Sequence, residues 1–191
     1  MSFKGFFVSV EGVEGVGKST AIGYIQQLFN DANIEHVLTR EPGGTPLAET
    51  IRDLLLTSHE EEVSASTELL LMFAARSQNV QQIILPALQA GKWVLADRFT
   101  DASFAYQGGG RGVNITSIEG LAQMVLGDLQ PNLTLLLDAP VSVGMQRIQE
   151  KNVELDRIEL EQNDFFQRVR QQYLALASQH ADRYRIIDAT Q

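Results

Sequence analysis

Short apolar runs alternate along the chain with longer segments that show a helical pattern of apolar positions. The apolar runs predict five strands, at residues 6–10, 35–39, 93–96, 133–137 and 185–187. The segments between them predict helices at residues 18–30, 46–56, 66–90, 115–126, 141–151 and 159–181. Because strands and helices alternate, we expect a three-layer α/β fold in which helices flank a five-stranded parallel sheet.

Turn-forming residues predict three loops between these elements. Two are rich in glycine, Pro42-Gly43-Gly44 and Gly108-Gly109-Gly110, and the third is the polar stretch at residues 151–156. The chain contains no internal repeat, no low-complexity segment and no stretch that resembles an interdomain linker. A length of 191 residues suits one well-buried core, so residues 1–191 are expected to form a single domain.

Composition narrows the class of protein. No apolar run approaches the roughly 20 residues needed to cross a bilayer, and the start of the chain lacks the apolar core of a signal peptide, so we expect a cytoplasmic protein without a membrane partner. A net charge of -9 disfavours nucleic acid as a partner. The absence of cysteine and the scattered positions of the three histidines disfavour a structural metal site.

One segment carries specific chemistry. It reads Gly12-Val13-Glu14-Gly15-Val16-Gly17-Lys18-Ser19, which fits the GxxxxGKS pattern of a phosphate-binding loop, and it lies between a predicted strand and a predicted helix. Glycines let the backbone N–H groups of such a loop converge on phosphate oxygens, and the helix N-terminus favours negative charge. Lys18 is expected to reach the β- and γ-phosphates of ATP, and the Ser19 hydroxyl to bind Mg²⁺. A ligand-free glycine-rich turn is the alternative.

A second segment places a carboxylate at the same end of the predicted sheet. Trp93-Val94-Leu95-Ala96-Asp97 is strand-like and ends in an acid, in the manner of a Walker B motif. Asp97 is then expected to hold Mg²⁺, and Arg98 beside it to bind a phosphate. Taken alone, an Asp-Arg pair of this kind is often a surface ion pair, and the phosphate loop favours the functional interpretation.

The P-loop fold serves switches, motors and kinases, so the fold alone does not choose among them. The NKxD and DxxG motifs of GTP-dependent switches do not occur in the chain, and no signature of an oligomeric motor is present. A small-molecule kinase is the class that remains.

Six motifs, in this order, resemble the bacterial thymidylate kinase family. They are Glu11-Gly12-Val13-Glu14-Gly15-Val16-Gly17-Lys18-Ser19, Thr39-Arg40-Glu41-Pro42-Gly43-Gly44-Thr45, Phe73-Ala74-Ala75-Arg76, Asp97-Arg98-Phe99, Ala105-Tyr106-Gln107-Gly108-Gly109-Gly110-Arg111-Gly112 and Leu155-Asp156-Arg157-Ile158-Glu159. The resemblance spans nearly the whole chain. It implies transfer of the γ-phosphoryl group of ATP to dTMP, with Mg²⁺, giving dTDP and ADP for DNA synthesis.

The resemblance also implies two sets of binding residues. The set implied for ATP is Gly12, Val13, Glu14, Gly15, Val16, Gly17, Lys18, Ser19, Thr20 and Arg147, the last near the adenine together with the loop Asp188-Ala189-Thr190. The set implied for dTMP is Glu14, Arg40, Phe73, Arg76, Arg98, Ser103, Tyr106, Gln107 and Arg111. In the dTMP set, the resemblance implies that Arg76 hydrogen-bonds thymine and that Phe73 stacks on it. The spacing is consistent with this, because residues three apart share a helix face.

Within the dTMP set, Tyr106 is expected to lie against the sugar and exclude a 2′-hydroxyl. Alternatives remain for several members. Phe73 can instead be a core residue or part of a dimer contact, and Arg40 and Ser103 can be ordinary surface residues.

A lid at about residues 147–158 is a further implication of the resemblance, and such lids close over ATP and bring positive charge to the transferred group. The family commonly has an arginine where this chain has Lys151, and lysine lacks the planar fork of arginine. We therefore expect Arg157, and after it Lys151, to act in catalysis alongside Lys18 and Arg98. A solvated helix end is the alternative for Lys151.

Three further expectations complete the sequence-based picture. A phosphomonoester is already largely dianionic at neutral pH, so the acceptor needs no general base. The resemblance implies a homodimer. It also implies a last helix beyond the fifth strand, which the given chain, ending at Gln191, is expected to lack. The competing hypotheses are a kinase for a different small acceptor and a nucleotide-binding regulatory protein without activity.

Overall fold

The structure, a computed structural model, describes residues 4–150 and 155–190. Its strands are β1 (Phe7–Glu11), β2 (His36–Arg40), β3 (Trp93–Asp97), β4 (Leu133–Asp138) and β5 (Tyr184–Asp188). They form one parallel sheet in the order β2-β3-β1-β4-β5. The expected five-stranded parallel sheet with flanking helices is confirmed, and each strand lies within one residue of its predicted bounds.

The helices that cover the sheet alternate with the strands along the chain. They are α1 (Lys18–Asp31), α2 (Pro46–Leu56), α3 (Ala65–Asn79), α4 (Leu85–Gln89), α5 (Thr100–Ser103), α6 (Ile115–Leu126), α7 (Val141–Glu150) and α8 (Asn163–Gln179), with π-helical turns at Val80–Ile84 and Phe104–Gly110. Within residues 4–150 and 155–190, no helix is both long enough and apolar enough to cross a membrane.

The central position of β1 fixes where a ligand can bind. All five residues of β1 are buried, as expected for a parallel strand covered on both faces. The strand pairs with β3 on one side and with β4 on the other. The chain therefore reverses its direction of winding next to β1, and ligands of open α/β sheets bind at the carboxyl ends of the strands at such a point.

Side-chain alternation along β1 divides the core between the two faces of the sheet. Val8 and Val10 pack with side chains of α1 and α8, including Ile22 and Phe166. Phe7 points to the opposite face and packs in a second cluster with residues of the α3–α4 region. Because β1 is buried on both faces, it gives the loop at its carboxyl end a rigid support.

The predicted helix at residues 66–90 is interrupted rather than uniform. A π-helical turn at Val80–Ile84 separates α3 from α4, and the Leu85 N–H bonds to the Val80 carbonyl, one residue further back than in an α-helix. Pro86 follows at once. Its missing N–H and its ring disfavour a regular turn there, and a widened turn is a common way to absorb this mismatch.

The prediction that Gly108-Gly109-Gly110 forms a loop is wrong. These residues belong to the π-helical turn Phe104–Gly110, which continues from α5. Their glycines serve close packing: a Cβ on Gly109 would lie 2.7 Å from the Cβ of Gln172 on α8. Composition alone could not separate this use of glycine from a turn.

The last long helix begins later than predicted, at Asn163 rather than Glu159. The side chain of Asp156 explains the delay, because its Oδ1 accepts hydrogen bonds from the backbone N–H groups of Ile158 (2.8 Å) and Glu159 (2.9 Å). Such a local bond offers the backbone a turn in place of a helix.

Candidate active site

The phosphate loop lies between β1 and α1, as the sequence predicts. Gly17 caps α1 in a left-handed conformation with φ 94°. Gly15 also has positive φ, 72°, and its Cα faces the backbone of Gly144 so closely that a Cβ would overlap the Gly144 carbonyl. Both positions therefore require glycine for geometric reasons. The loop presents the N-terminus of α1 to the carboxyl edge of the sheet, which is an anion-binding arrangement.

Lys18 folds back over this loop. Its Nζ donates to the carbonyl of Gly12 at 3.1 Å and to that of Val13 at 2.8 Å. Burial, together with the nearby positive charge of Arg98, lowers the pKa of Lys18 to about 8, although Glu14 acts in the opposite direction. The ammonium group is thus held beside the loop by backbone carbonyls, ready to exchange them for phosphate oxygens.

The residues after β3 form a second charged group at the same edge. Arg98 has a left-handed backbone, φ 68°, which is uncommon for a non-glycine residue and is typical of functional sites. Its guanidinium donates to the Gly12 carbonyl at 2.7 Å and to Glu14 Oε1 at 2.8 Å. The Tyr106 hydroxyl donates to the same carboxylate, at 2.6 and 2.7 Å from its two oxygens.

Glu14, Arg98 and Tyr106 therefore form one connected cluster. The Arg98 guanidinium also lies over the Tyr106 ring, 4.8 Å from its centroid. Burial opposes the charge of Arg98, but Tyr106 and Glu14 hold the pKa of Arg98 well above its usual value. The cluster is a permanently charged site that faces the phosphate loop.

A buried arginine marks the other end of the site. Arg76 on α3 is 2% exposed, and its Nε donates to Glu41 Oε2 at 2.6 Å. The remaining nitrogens donate to Ser103 Oγ at 3.0 Å and to the Phe99 carbonyl at 3.1 Å. Burial raises the pKa of Glu41 above its usual value, although the positive charge of Arg76 acts in the opposite direction. A buried, paired arginine of this kind has a fixed orientation.

A cleft of about 410 Å³ connects the phosphate loop, the Arg98 cluster and Arg76. Most residues expected to bind a ligand line it. They are Glu14, Gly15, Gly17, Lys18, Ser19, Thr20, Arg40, Arg76, Asp97, Arg98, Ser103, Tyr106 and Gln107. The structure thus brings together residues from widely separated parts of the chain, and the cleft is large enough for small-molecule ligands.

Phe73 lies elsewhere. It is 2% exposed and packs with Leu69 and Ile118 in a separate hydrophobic cluster, with Arg76 over its ring at 4.5 Å. Met72 lines the cleft instead. Met72 precedes Arg76 by four residues, and residues four apart also share a helix face. The spacing of three favoured Phe73, whereas a spacing of four would have identified Met72.

The three remaining arginines of the predicted set make protein contacts away from the cleft wall. Arg111 and Arg157 both pair with Glu68, at 3.2 and 2.7 Å. Arg147 donates to the carbonyls of Ala189 (2.8 Å) and Thr190 (3.3 Å), at the loop expected to border the adenine. The expected lid is described only in part, and Lys151 lies outside the described residues. The catalytic roles expected of Arg157 and Lys151 stay predictions.

Several cleft residues were missed in the sequence. Arg52 on α2 lines the cleft and donates to the Pro42 carbonyl at 2.9 Å. Glu41 also lines it and holds Arg76. Glu41 belongs to a motif that the sequence singled out, but its pairing partner is 35 positions away and only the fold reveals it.

Comparison with known proteins gives consistent matches. A family model described as thymidylate kinase matches residues 10–191. A thymidylate kinase of Vesicomyosocius okutanii is 54% identical over 98% of this chain and 91% of its own length, and one of Nitrosomonas europaea is 50% identical over 98% and 86%. The crystal structure of thymidylate kinase from Ehrlichia chaffeensis superposes with a TM-score of 0.75 at 31% identity, over 96% of this chain and 92% of that one.

Proposed function

The chain belongs to the thymidylate kinase family, and on that premise we propose how the cleft assigns its residues to two substrates. The reaction is ATP-dependent phosphoryl transfer to dTMP. The phosphate loop is the donor side of the proposal, and the surface from Arg98 to Arg76 is the acceptor side.

On the donor side, the backbone of residues 12–20 binds the phosphates of ATP. The support is geometric, because left-handed glycines and the N-terminus of α1 direct N–H groups toward the cleft. Lys18 neutralises charge on the β- and γ-phosphates. Arg147 lies near the adenine, which its contact with the Ala189 carbonyl supports.

A divalent cation fits beside the loop. Within the described residues, Asp97 Oδ1 is buried and has no hydrogen-bond partner, and the Ser19 hydroxyl lines the same cleft. The described residues contain no group of three or more His, Cys, Asp or Glu side chains that could hold a metal. We therefore assign Ser19 and Asp97 to Mg²⁺ that arrives with ATP, which would draw charge from the transferred phosphoryl group.

On the acceptor side, Arg98 binds the phosphate of dTMP. Its fork now contacts the Gly12 carbonyl and Glu14, so it already faces the donor loop. Tyr106 lies against the sugar, and Arg76, Ser103, Gln107 and Met72 surround the base. A dianionic phosphate is the nucleophile, so these residues orient and neutralise it, and none has to remove a proton.

The weaker members of the set keep secondary roles in the proposal. Arg40 pairs with Glu49 at 2.6 Å and is half exposed, so it contributes charge at the mouth of the cleft. Arg111 and Arg157 are held by Glu68 and act on the acceptor side and at the lid, respectively. Phe73 supports Arg76 from the core rather than stacking on thymine.

We further propose a homodimer that works in the cytoplasm, where ATP is available. The support for a dimer is that Leu70 on α3 and Met124 on α6 are 57% and 76% exposed although their helices pack on each other. Exposed apolar side chains on adjacent helices are typical of a subunit contact. Sedimentation of the wild type against Leu70→Glu tests this: the wild type sediments as a dimer and the variant as a monomer.

The connection of Lys18, Arg98 and Arg76 through one cleft is the observation that carries the proposal. Its test is a coupled assay of ADP release with ATP, Mg²⁺ and dTMP. Ser19→Ala is expected to raise the Mg²⁺ concentration needed for half-maximal rate, while the KM for dTMP changes little. An unchanged Mg²⁺ requirement would remove Ser19 from the proposed metal site.

A further inference from the structure

Glu68, in the first turn of α3, is a buried carboxylate that bonds to a residue of the cleft wall. It is 1% exposed. Its Oε1 accepts from the side-chain amide of Gln107 at 3.0 Å, and its Oε2 accepts from Arg157 at 2.7 Å. Arg111 bonds to both oxygens, at 3.3 and 3.2 Å. Glu68 thus joins one cleft residue to two arginines outside the cleft wall.

The surroundings keep Glu68 ionised. Burial alone would raise the pKa of this carboxyl, but the hydrogen bond from Gln107 and the positive charges of Arg111 and Arg157 outweigh burial and lower it. An ionised carboxylate has acceptor oxygens and no donor. Any group that bonds to Glu68 must therefore offer it an N–H or O–H.

This requirement fixes the side-chain amide of Gln107. Since Glu68 only accepts, Gln107 must turn its NH₂ group toward Glu68, and its carbonyl oxygen then points away. Gln107 lines the cleft and is itself 1% exposed, so little else can turn it. The Gln107 carbonyl oxygen is then the atom that can accept a hydrogen bond from a ligand in the cleft.

The chemistry of pyrimidines makes that orientation selective. Thymine and uracil carry an N3–H donor next to the O4 acceptor, whereas cytosine carries an N3 acceptor next to an amino donor. Placed opposite position 3, the Gln107 oxygen accepts from the N3–H of thymine or uracil but repels the N3 lone pair of cytosine. Arg76, which can only donate, adds the same preference, because it suits a carbonyl oxygen rather than an amino group.

We propose that Glu68 is a positioning residue that holds the Gln107 amide with its oxygen toward the base, and so makes the acceptor site prefer a pyrimidine with an N3–H group over cytosine. The proposal rests on the assignment of the base to the Gln107 side of the cleft. Glu68 itself does not touch the nucleotide.

The variant Glu68→Gln tests the proposal with little change in shape. A glutamine at this position can donate as well as accept, so Gln107 is free to present either end of its amide to the base. We expect the ratio of kcat/KM for dTMP to kcat/KM for dCMP to fall about 10- to 100-fold, the range for losing or mismatching one buried hydrogen bond. Glu68 also holds Arg157 at the lid, and a looser Arg157 would act on both acceptors alike and so cancel in this ratio.

Glu161→Gln is the matched control. Glu161 is partly buried and pairs with Arg111, as Glu68 does, whereas the amide of Gln107 bonds to Glu68. Removing this charge disturbs the same cluster but leaves the bond between Glu68 and Gln107 in place. The dTMP/dCMP ratio should therefore stay within about twofold of the wild type. If Glu161→Gln lowers the ratio as much as Glu68→Gln does, general electrostatics is the cause and the proposal is overturned.

A second variant keeps the test open if Glu68→Gln does not fold. Gln107→Ala removes the oriented amide itself, and it too should lower the dTMP/dCMP ratio; an unchanged ratio contradicts the proposal. A wild-type enzyme without activity on dTMP would instead contradict the proposed function. A wild type active on dTMP whose Glu68→Gln variant folds and keeps its selectivity contradicts this inference alone.

Discussion

The donor and acceptor halves of the cleft are built in different ways. The phosphate loop is one unbroken segment, residues 12–20, and its geometry comes from backbone conformation at glycines such as Gly15 and Gly17. The acceptor half collects side chains from distant segments and holds them in buried pairs, Arg76 with Glu41 and Gln107 with Glu68. A site made of backbone is therefore a local property of the sequence, whereas a site made of paired side chains exists only in the folded chain.

The largest effect should come from the donor half. Lys18→Ala is expected to lower kcat/KM about 10³-fold, because it removes a preorganised charge from the transferring phosphoryl group. The coupled ADP assay measures it. Lys92→Ala is the control, since Lys92 is an exposed lysine paired only loosely with Glu35 at 3.4 Å. A loss below about tenfold for Lys18→Ala would place this lysine outside the chemistry.

The same contrast explains how far the sequence could be interpreted. The apolar pattern predicted β1 and α1 to within one residue, and the GxxxxGKS motif predicted the phosphate loop between them, because all three depend on neighbours in sequence. The prediction of a loop at residues 108–110 failed, because Gly109 and Gly110 lack side chains where α8 packs and Gly108 lacks one where α6 packs, and both contacts form only in the folded chain. The position of Met72 and the pairing of Glu41 and Glu68 depend on which helix faces turn inward, and only tertiary packing decides that.

A second prediction concerns the charged group at the border between the two halves. Arg98→Lys is expected to lower kcat/KM for dTMP about 10²-fold, because lysine cannot bind a phosphate with two parallel N–H groups. The KM for ATP should change far less. Arg185→Lys is the matched control, since the Arg185 guanidinium bonds to backbone carbonyls beside the exposed edge strand β5. Equal losses for ATP and dTMP would show that Arg98 serves the whole cleft.

A third prediction separates the cleft wall from the core within one turn of α3. Met72→Ala is expected to raise the KM for dTMP roughly tenfold with little change in the melting temperature, because a base contact in the cleft is lost. Phe73→Ala should lower the melting temperature and leave the KM for dTMP nearly unchanged. It leaves a core cavity, which lowers the free energy of unfolding by about 3–5 kcal/mol. Kinetics and thermal denaturation on both variants check this. The reverse pattern would restore Phe73 as the residue that stacks on the base.

The smallest expected effect is a fall in kcat/KM for ATP as the pH rises, which tests the lowered pKa of Lys18. Its pKa is lowered from 10.5 to about 8, so the free enzyme holds the proton below pH 8 and loses it as the pH rises through that value. The neutral amine attracts phosphate less, and kcat/KM for ATP should therefore fall about fourfold between pH 7 and pH 8.5. A profile that is flat to pH 9.5 would mean that Lys18 keeps the pKa of an ordinary lysine.

The central claim is that one cleft joins a backbone-built ATP site to a side-chain-built thymidylate site. Its most direct test is to supply the wild-type enzyme with ATP, Mg²⁺ and a panel of nucleoside monophosphates, and to measure kcat/KM for each. The account predicts that dTMP is used at least about 10²-fold better than dCMP, dAMP or dGMP, since the buried donors and acceptors suit thymine. Comparable turnover of dTMP and the other monophosphates would contradict it.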